Sequence, residues 1–293
     1  MKKESGKMTI NQALNKGMII LKSNNIESPK LKARLLLQYV LNKKREQLII
    51  YDKEQITKQE ERTYMLNIEK LIKGIPLQHI TNSQEFMKMN FFVNSNVLIP
   101  RPDTEVLVEE VIKLGKTKKN PTILDLCTGS GAIAISIAKY LPNCKVYASD
   151  ISKDALEVAK INATNNEVSD KIEFIESDLF ENMKGIKFDI IVSNPPYIKT
   201  GVIKTLDKEV QKEPIIALDG GKDGLKFYKK IVEEAYSHLK FNSYLCFEIG
   251  YDQKEEVEEI IKDAKTYSDT YCKKDLYGND RVIVTTVKWK QCE

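Results

Sequence analysis

The chain has 293 residues, of which 42% are hydrophobic and 30% charged. That balance is too apolar for a disordered chain and too charged for a bundle of membrane helices, and the length leaves room for about two domains. The net charge is +4, but residues 1–60 hold 13 Lys and Arg against 6 Asp and Glu, so the front is basic and the remainder net negative. A basic face can steer toward nucleic acid or an acidic protein, or can be an ordinary lysine-rich solvated helical surface.

The opening MKKESGKM is basic, yet no apolar stretch of signal-peptide length follows it. The longest helix-compatible apolar run, Ala132 to Ala138, is too short to span a bilayer. A cytoplasmic chain with no membrane partner is the expectation.

The first 75 residues read as helices. Thr9-Ile10-Asn11-Gln12 is a capping-box pattern, and Ile10, Leu14, Met18 and Leu21 follow at helical spacing. Ser28-Pro29 pairs an N-cap with proline at the first helical position, opening a helix with Leu31, Leu35, Leu36 and Tyr39. A second capping box, Thr57-Lys58-Gln59-Glu60, opens a helix through Leu66 and Leu71 that stops at Gly74. Such stripes pack into a small helical domain, residues 1–75. Residues 76–100 read as a β-hairpin or linker built from the extended runs LQHI and FMKMNFFV.

From Thr122 onward strands alternate with helices. Strands are expected at Thr122–Leu126, Lys145–Ser149, Ile172–Glu176, Phe188–Ser193, Tyr244–Ile249 and Arg281–Lys288, and helices at Gly131–Leu141, Lys153–Asn165, Gly224–Leu239 and Gln253–Ala264. This alternation implies an α/β fold, with a mostly parallel sheet covered on both faces, over residues 101–293.

Cys127, Cys144, Cys246, Cys272 and Cys292 are scattered and never paired as Cys-x-x-Cys, which reads as reduced thiols. His79 and His238 are the two histidines; that count excludes a multi-histidine metal site and leaves little material for Ser-His-Asp chemistry. No metal is expected.

The first strand runs into Asp125-Leu126-Cys127-Thr128-Gly129-Ser130-Gly131-Ala132. An apolar strand, a glycine loop and then a helix present backbone N–H groups and a helix N-terminus to a ligand. Asp150 ends the second strand, where a carboxylate can accept two ribose hydroxyls; serving merely as a helix N-cap is the alternative, though Ser152 is available for that task. Gly129-x-Gly131-x-x-Ala134 also fits the dinucleotide fingerprint, so the loop alone does not choose the ligand, while the missing Walker lysine excludes a P-loop. Asp125, placed to approach the positive methionine end, favours S-adenosylmethionine.

A second motif agrees. The fourth strand passes directly into Asn194-Pro195-Pro196-Tyr197, beyond the carboxyl end of the sheet where ligands bind. The prolines fix φ and remove two N–H donors, so the turn is stiff and rich in acceptors. The Asn194 side-chain carbonyl and the Pro195 backbone carbonyl can hold both hydrogens of a planar NH2 group, and Tyr197 can supply a flat wall. A structural Asn-Pro turn is the plain alternative. A sulfonium methyl is already activated, so the enzyme mainly needs to position a weak nitrogen nucleophile and accept its hydrogens as positive charge grows.

These residues resemble the amino-methyltransferases that act on planar NH2 groups. Further segments narrow the likeness: Ile99-Pro100-Arg101-Pro102-Asp103-Thr104-Glu105, Ser177-Asp178-Leu179-Phe180, Glu213-Pro214 with Ala217-Leu218, Gly220-Gly221-x-Asp223-Gly224-Leu225, Glu248-Ile249-Gly250 with Gln253, and Lys274-Asp275-Leu276-x-Gly278-x-Asp280-Arg281. Together they resemble the peptide chain release factor glutamine N5-methyltransferases, the PrmC/HemK family, over essentially the whole chain. The resemblance implies a Rossmann-like class I methyltransferase domain with a mostly parallel seven-stranded sheet, preceded by a small helical domain that docks the substrate. It implies methyl transfer from S-adenosylmethionine to the glutamine of the Gly-Gly-Gln motif in class-I release factors. It places the cofactor on Cys127, Thr128, Gly129, Ser130, Gly131, Asp150 and Asn194, with adenine near Asp178 or Leu179, and the glutamine at Asn194, Pro195, Pro196 and Tyr197. Cys127 stands where the family usually has its first loop glycine. Arg101 to Glu105 either line the cofactor pocket or link domains.

Two rival readings remain at this point. A DNA or RNA amino-methyltransferase, acting on adenine N6 or guanine N2, shares the tetrapeptide but needs base flipping and many phosphate contacts. The net-negative catalytic half has no recognition insertion, so direct nucleic-acid binding is not expected. A non-catalytic scaffold is the other class, against which the intact tetrapeptide and Asp150 argue.

Overall fold

The structure is a computed structural model and describes residues 7–287. Its backbone divides into two units: one runs to Asn82 and takes in Asp207–Lys212, and the other holds Ser83–Leu206 and the described residues from Glu213 on.

The first unit is helical: α1 Ile10–Ser23, α2 Pro29–Leu41, α3 Arg45–Ile50, α4 Lys58–Ile72 and α5 Leu77–Thr81. Both capping boxes form, Thr9 with Gln12 and Thr57 with Glu60. Ser28 precedes Pro29 as expected but adopts a left-handed conformation and makes no side-chain cap bond. The buried faces are narrower than the apolar residues suggest. In α2, Ala33, Leu36 and Leu37 turn inward while Leu31 and Tyr39 stay exposed, and in α4, Tyr64, Ile68 and Leu71 are buried while Leu66 is not. Tyr64 explains the selection. Its hydroxyl donates to the Ala33 carbonyl at 3.2 Å, and a Cβ at Gly17 would lie 2.1 Å from that hydroxyl, so small residues on α1 and α2 make room for the ring. LQHI is helical rather than extended. The Pro76 carbonyl accepts from the His79 and Ile80 amides and turns the segment into α5, an outcome that a four-residue apolar run leaves open.

The second unit begins with the expected hairpin, β1 Gln84–Phe86 and β2 Met89–Phe91. Then follow α6 Thr104–Gly115, β3 Thr122–Leu126, α7 Ala132–Tyr140, β4 Lys145–Asp150, α8 Lys153–Asn165, β5 Ile172–Glu176, β6 Phe188–Ser193, α9 Lys226–Ala235, β7 Leu239–Glu248, α10 Lys254–Asp263, β8 Tyr267–Lys274 and β9 Asp280–Val287. The seven strands order as β5-β4-β3-β6-β7-β9-β8. The first five are mutually parallel, and β9 is antiparallel to both β7 and β8. This is the α/β class that the alternation implies. One core packs α6, α7 and the hairpin phenylalanines against the sheet; the other packs α9 and α10 on its opposite face. Burial on both faces is why β3, β4 and β6 read as near-continuous apolar runs.

Four further elements depart from the sequence reading. The sequence offers no reading of its own for α3 in the first unit or for α6. Strand β7 starts at Leu239, five residues ahead of Tyr244, because polar residues at a bulge hide its first half: Phe188 pairs with Leu239, yet Ile190 pairs with Tyr244. Strand β8 is a mostly exposed edge without apolar alternation. Residue 288, at the end of the last expected strand, and Cys292 lie outside the described residues.

Candidate active site

Strand β3 is central, with β4 on one side and β6 on the other, so the crossovers leave it in opposite directions. A sheet of this kind opens a crevice at the carboxyl ends of those strands. A cavity of about 230 Å3 lies there, lined among others by Cys127, Gly129, Asp150, Asp178, Leu179, Asn194 and Pro196. Three strand ends thus bring together the glycine loop, the acidic residue and the tetrapeptide, which are far apart in sequence.

The loop after β3 has two sides. Gly129 faces the cavity, and a Cβ built on it meets nothing within 4 Å, so its backbone is open to a ligand. Thr128, Ser130 and Gly131 form the hidden side. The Thr128 amide donates to the Ser149 carbonyl at 2.9 Å, and the Ser130 carbonyl accepts from Asn162 Nδ2 at 2.9 Å. Gly131 has φ of +80° at the start of α7, where a Cβ would come 3.0 Å from that of Ala159. Cys127 lines the cavity with φ of +60°, the left-handed region in which glycine is unstrained. That conformation accounts physically for a glycine at this place in the family. Burial, with the nearby Asp150 charge second, pushes the Cys127 thiol well up, so it stays protonated.

Asp150 is held from two directions. Oδ2 accepts from the Gly129 amide at 2.9 Å and Oδ1 from the Ser152 amide at 2.9 Å. Ser152, not Asp150, caps α8 through the Ala155 amide at 3.2 Å. The carboxylate is therefore aimed by the loop while still lining the cavity. Burial raises its pKa, and the Ser152, Gly129 and Ile151 N–H groups oppose that rise.

Asp125 does not approach the cavity. It is fully buried, and its Oδ2 accepts from the Thr128 hydroxyl at 2.6 Å and the Ala134 amide at 3.1 Å. Through Oδ2 it ties the loop to the first turn of α7, while its buried Oδ1 has no partner among the described residues. Burial pushes this carboxyl up to about 7.

The Asn194–Tyr197 corner is braced by the motifs that resemble the family's. Asn194 and Pro196 line the cavity; Pro195 is buried, and Tyr197 is half-buried behind the wall with its hydroxyl 3.5 Å from Glu248 Oε1. Gln253 Nε2 donates to the Tyr197 carbonyl at 3.1 Å and the Gly224 carbonyl at 3.3 Å, while its Oε1 accepts from the Gly250 amide at 3.0 Å. Gly220 lies so close that an added Cβ would come 2.7 Å from Tyr197 Cα and 2.8 Å from the Pro196 carbonyl oxygen. Arg281 donates to Asp275 and to the Ile249 carbonyl and pairs with Asp103 at 3.5 Å. Glu213, buried, receives the Ile99 amide at 2.9 Å and binds Arg101. Arg101 to Glu105 thus line no part of the cavity, and their side chains tie the segment to this frame.

Sequence reasoning missed part of the wall: Asn96 to Leu98, Ile216 with Ala217, and Lys226, Phe227 and Lys230 of α9. The i, i+4 lysines carry no signal of their own.

Comparison with known proteins shows the family. Residues 12–81 match the PrmC N-terminal domain and residues 102–217 the methyltransferase small domain. The release factor glutamine methyltransferase of Clostridium acetobutylicum is 41% identical over 280 residues, covering 94% of this chain and 98% of that one. The chain belongs to the release factor glutamine methyltransferase family. A second member, from Moorella thermoacetica, is 38% identical over 94% of this chain and 98% of its own. A solved methyltransferase from Pyrococcus furiosus, 20% identical, aligns over 80% of this chain and all of its own with a TM-score of 0.50, a likeness of fold. The class I methyltransferase fold and the methyltransferase activity that the motifs led us to expect are those of this family.

Proposed function

We propose that the chain moves a methyl group from S-adenosylmethionine to the side-chain amide nitrogen of the glutamine in the Gly-Gly-Gln motif of class-I release factors, in the cytoplasm. The observation that carries the reading is the meeting of three strand ends at one cavity: the bare backbone of Gly129, the pre-aimed carboxylate of Asp150 and the corner whose Asn194 and Pro196 line it.

The residues fit the cofactor. Asp150 keeps lone pairs for two ribose hydroxyls, since each oxygen accepts one backbone N–H and a carboxylate has about four acceptor sites. Asp178 and Leu179 line the same cavity and bear on adenine, and Gly129 permits close backbone approach. Cys127 contributes a small neutral side chain, while Thr128, Ser130 and Gly131 hold the loop's shape from behind. When bound, S-adenosylmethionine supplies an electrophilic carbon on a positively charged sulfur.

The protein's own part is positioning. An amide nitrogen is a poor nucleophile because its lone pair is delocalised. Asn194 Oδ1 and the Pro195 carbonyl accept its two hydrogens, which raises electron density on nitrogen and fixes the line of attack. As the nitrogen gains the methyl carbon its hydrogens grow more acidic and both acceptors hold them more tightly; one is then lost as a proton to water, and the electrons of the broken methyl–sulfur bond stay on the departing sulfur. Such preorganised acceptors are worth about 10²-fold or more in rate. Pro195 and Pro196 keep the corner rigid, and Tyr197 anchors it at Glu248.

The test is mass spectrometry of a class-I release factor incubated with the chain and isotope-labelled cofactor. One methyl group on the motif glutamine is expected, with Asn194→Ala abolishing transfer while cofactor affinity is largely kept. Label on another residue or on nucleic acid instead, or equal loss of binding and transfer in the variant, overturns the assignment.

A further inference from the structure

The Glu248 side chain is buried at the carboxyl end of β7, next to the tetrapeptide that follows β6. Its Oε1 lies 3.5 Å from the Tyr197 hydroxyl, and its buried Oε2 has no partner within hydrogen-bond geometry. Burial pushes the Glu248 carboxyl up to about 7, and the Thr104 hydroxyl at the start of α6, Arg281 and the Asn194 amide oppose that rise. Asn194 Nδ2 in turn points at Thr104 Oγ1 at 3.4 Å. Thr104 is itself buried and lines no part of the cavity, whereas Asn194 does.

A carboxamide is nearly symmetric in shape, so which end faces a ligand is decided by its hydrogen-bond partners. When ionised, the Glu248 carboxylate accepts only. A hydroxyl that donates to it has just lone pairs left to offer Asn194, and those lone pairs select the NH2 end of the amide. We propose that Glu248 and Thr104 are positioning residues that set the orientation of Asn194, holding its NH2 away from the cavity so that Oδ1 faces the substrate amide. The inference rests on the reading of Asn194 as the acceptor for that amide. Without the relay the amide can turn over and present NH2 to NH2, which repels the nucleophile instead of clasping it. The charged and titratable groups around Glu248 are Tyr197 after β6, Tyr228 on α9, Asp103 beside Thr104, and Arg281 on β9; Arg281 favours the accepting, charged form, while burial and Asp103 oppose it.

The experiment uses the full chain, a release factor substrate and S-adenosylmethionine, and compares Thr104→Val, which keeps shape and removes the hydroxyl, with Thr104→Ser, which returns it. Thr104→Val is expected to lower kcat by about a hundredfold, with cofactor Kd and thermal midpoint close to those of the parent. Thr104→Ser is expected to recover most of the rate. Parental kcat in Thr104→Val, equal losses in the Val and Ser variants, or a parallel loss of cofactor affinity overturns the relay. An unsubstituted chain that methylates no release factor overturns the functional reading and the relay with it.

Discussion

Single side chains divide here into those that touch the cavity and those that aim them. Asp150 was legible because strand end, glycine loop and spacing agreed, and Ser152 as the cap of α8 leaves it free. Asp150→Ala is expected to weaken cofactor binding by about 1–3 kcal/mol through lost charge-assisted hydrogen bonds, read by titration calorimetry. Unchanged affinity would remove the ribose assignment. A sequence gives the strand position of Asp125 but not the direction in which its carboxylate turns, which is toward the Thr128 hydroxyl and the Ala134 amide. That inward turn has a pH consequence. The folded carboxyl titrates at about 7, above the roughly 3.9 of an unfolded chain, so the native state holds the extra proton between those values. The stability this group lends is fully present below the lower value and is lost as pH rises through the higher one. Asp125→Asn is therefore expected to gain thermal stability relative to the parent as pH is raised from about 5 to about 8. Parallel melting curves across that range would contradict it.

Among elements, the β-rich unit was largely readable because buried parallel strands are apolar runs broken by glycine and proline. What escaped were elements whose formation depends on distant partners. β8 is recruited as an edge by β9, and the first half of β7 by Phe188 across a bulge. The scaffold of the Asn194–Tyr197 corner was equally hidden. Gly220, Gly224, Glu248, Gln253 and Arg281 appeared as motifs of a resemblance, and only their convergence gives each a physical reason. Gly220→Ala tests that convergence. Its Cβ would collide with backbone of the corner rather than with a flexible side-chain end, so the corner must move. Displacements of this size cost about a hundredfold in rate. Steady-state kinetics should show kcat lost with cofactor Kd nearly kept; a fully active variant would mean that the corner tolerates the shift.

For the molecule as a whole, the charge map and the two units bear on how a protein substrate is held. The helical unit carries most of the basic front, and the unit with the cavity is complete in its own sheet and two cores. We expect removal of residues 1–75 to reduce transfer to an intact release factor far more than transfer to a short glutamine-containing peptide, with circular dichroism confirming that the sheet is retained. Equal losses on both substrates would count against a docking role. Three of that unit's five described helices, α1, α2 and α4, are legible from their start signals, whereas α3, α5 and the buried faces are not; the Tyr64 ring and its room beside Gly17 decide those faces.

A crystal structure of the chain with S-adenosylhomocysteine and a peptide bearing the Gly-Gly-Gln motif examines the clasp directly. The account predicts the glutamine NH2 within hydrogen-bond reach of Asn194 Oδ1 and the Pro195 carbonyl, its nitrogen facing the sulfur. A glutamine bound elsewhere, or an Asn194 amide presenting Nδ2 to it, contradicts the account.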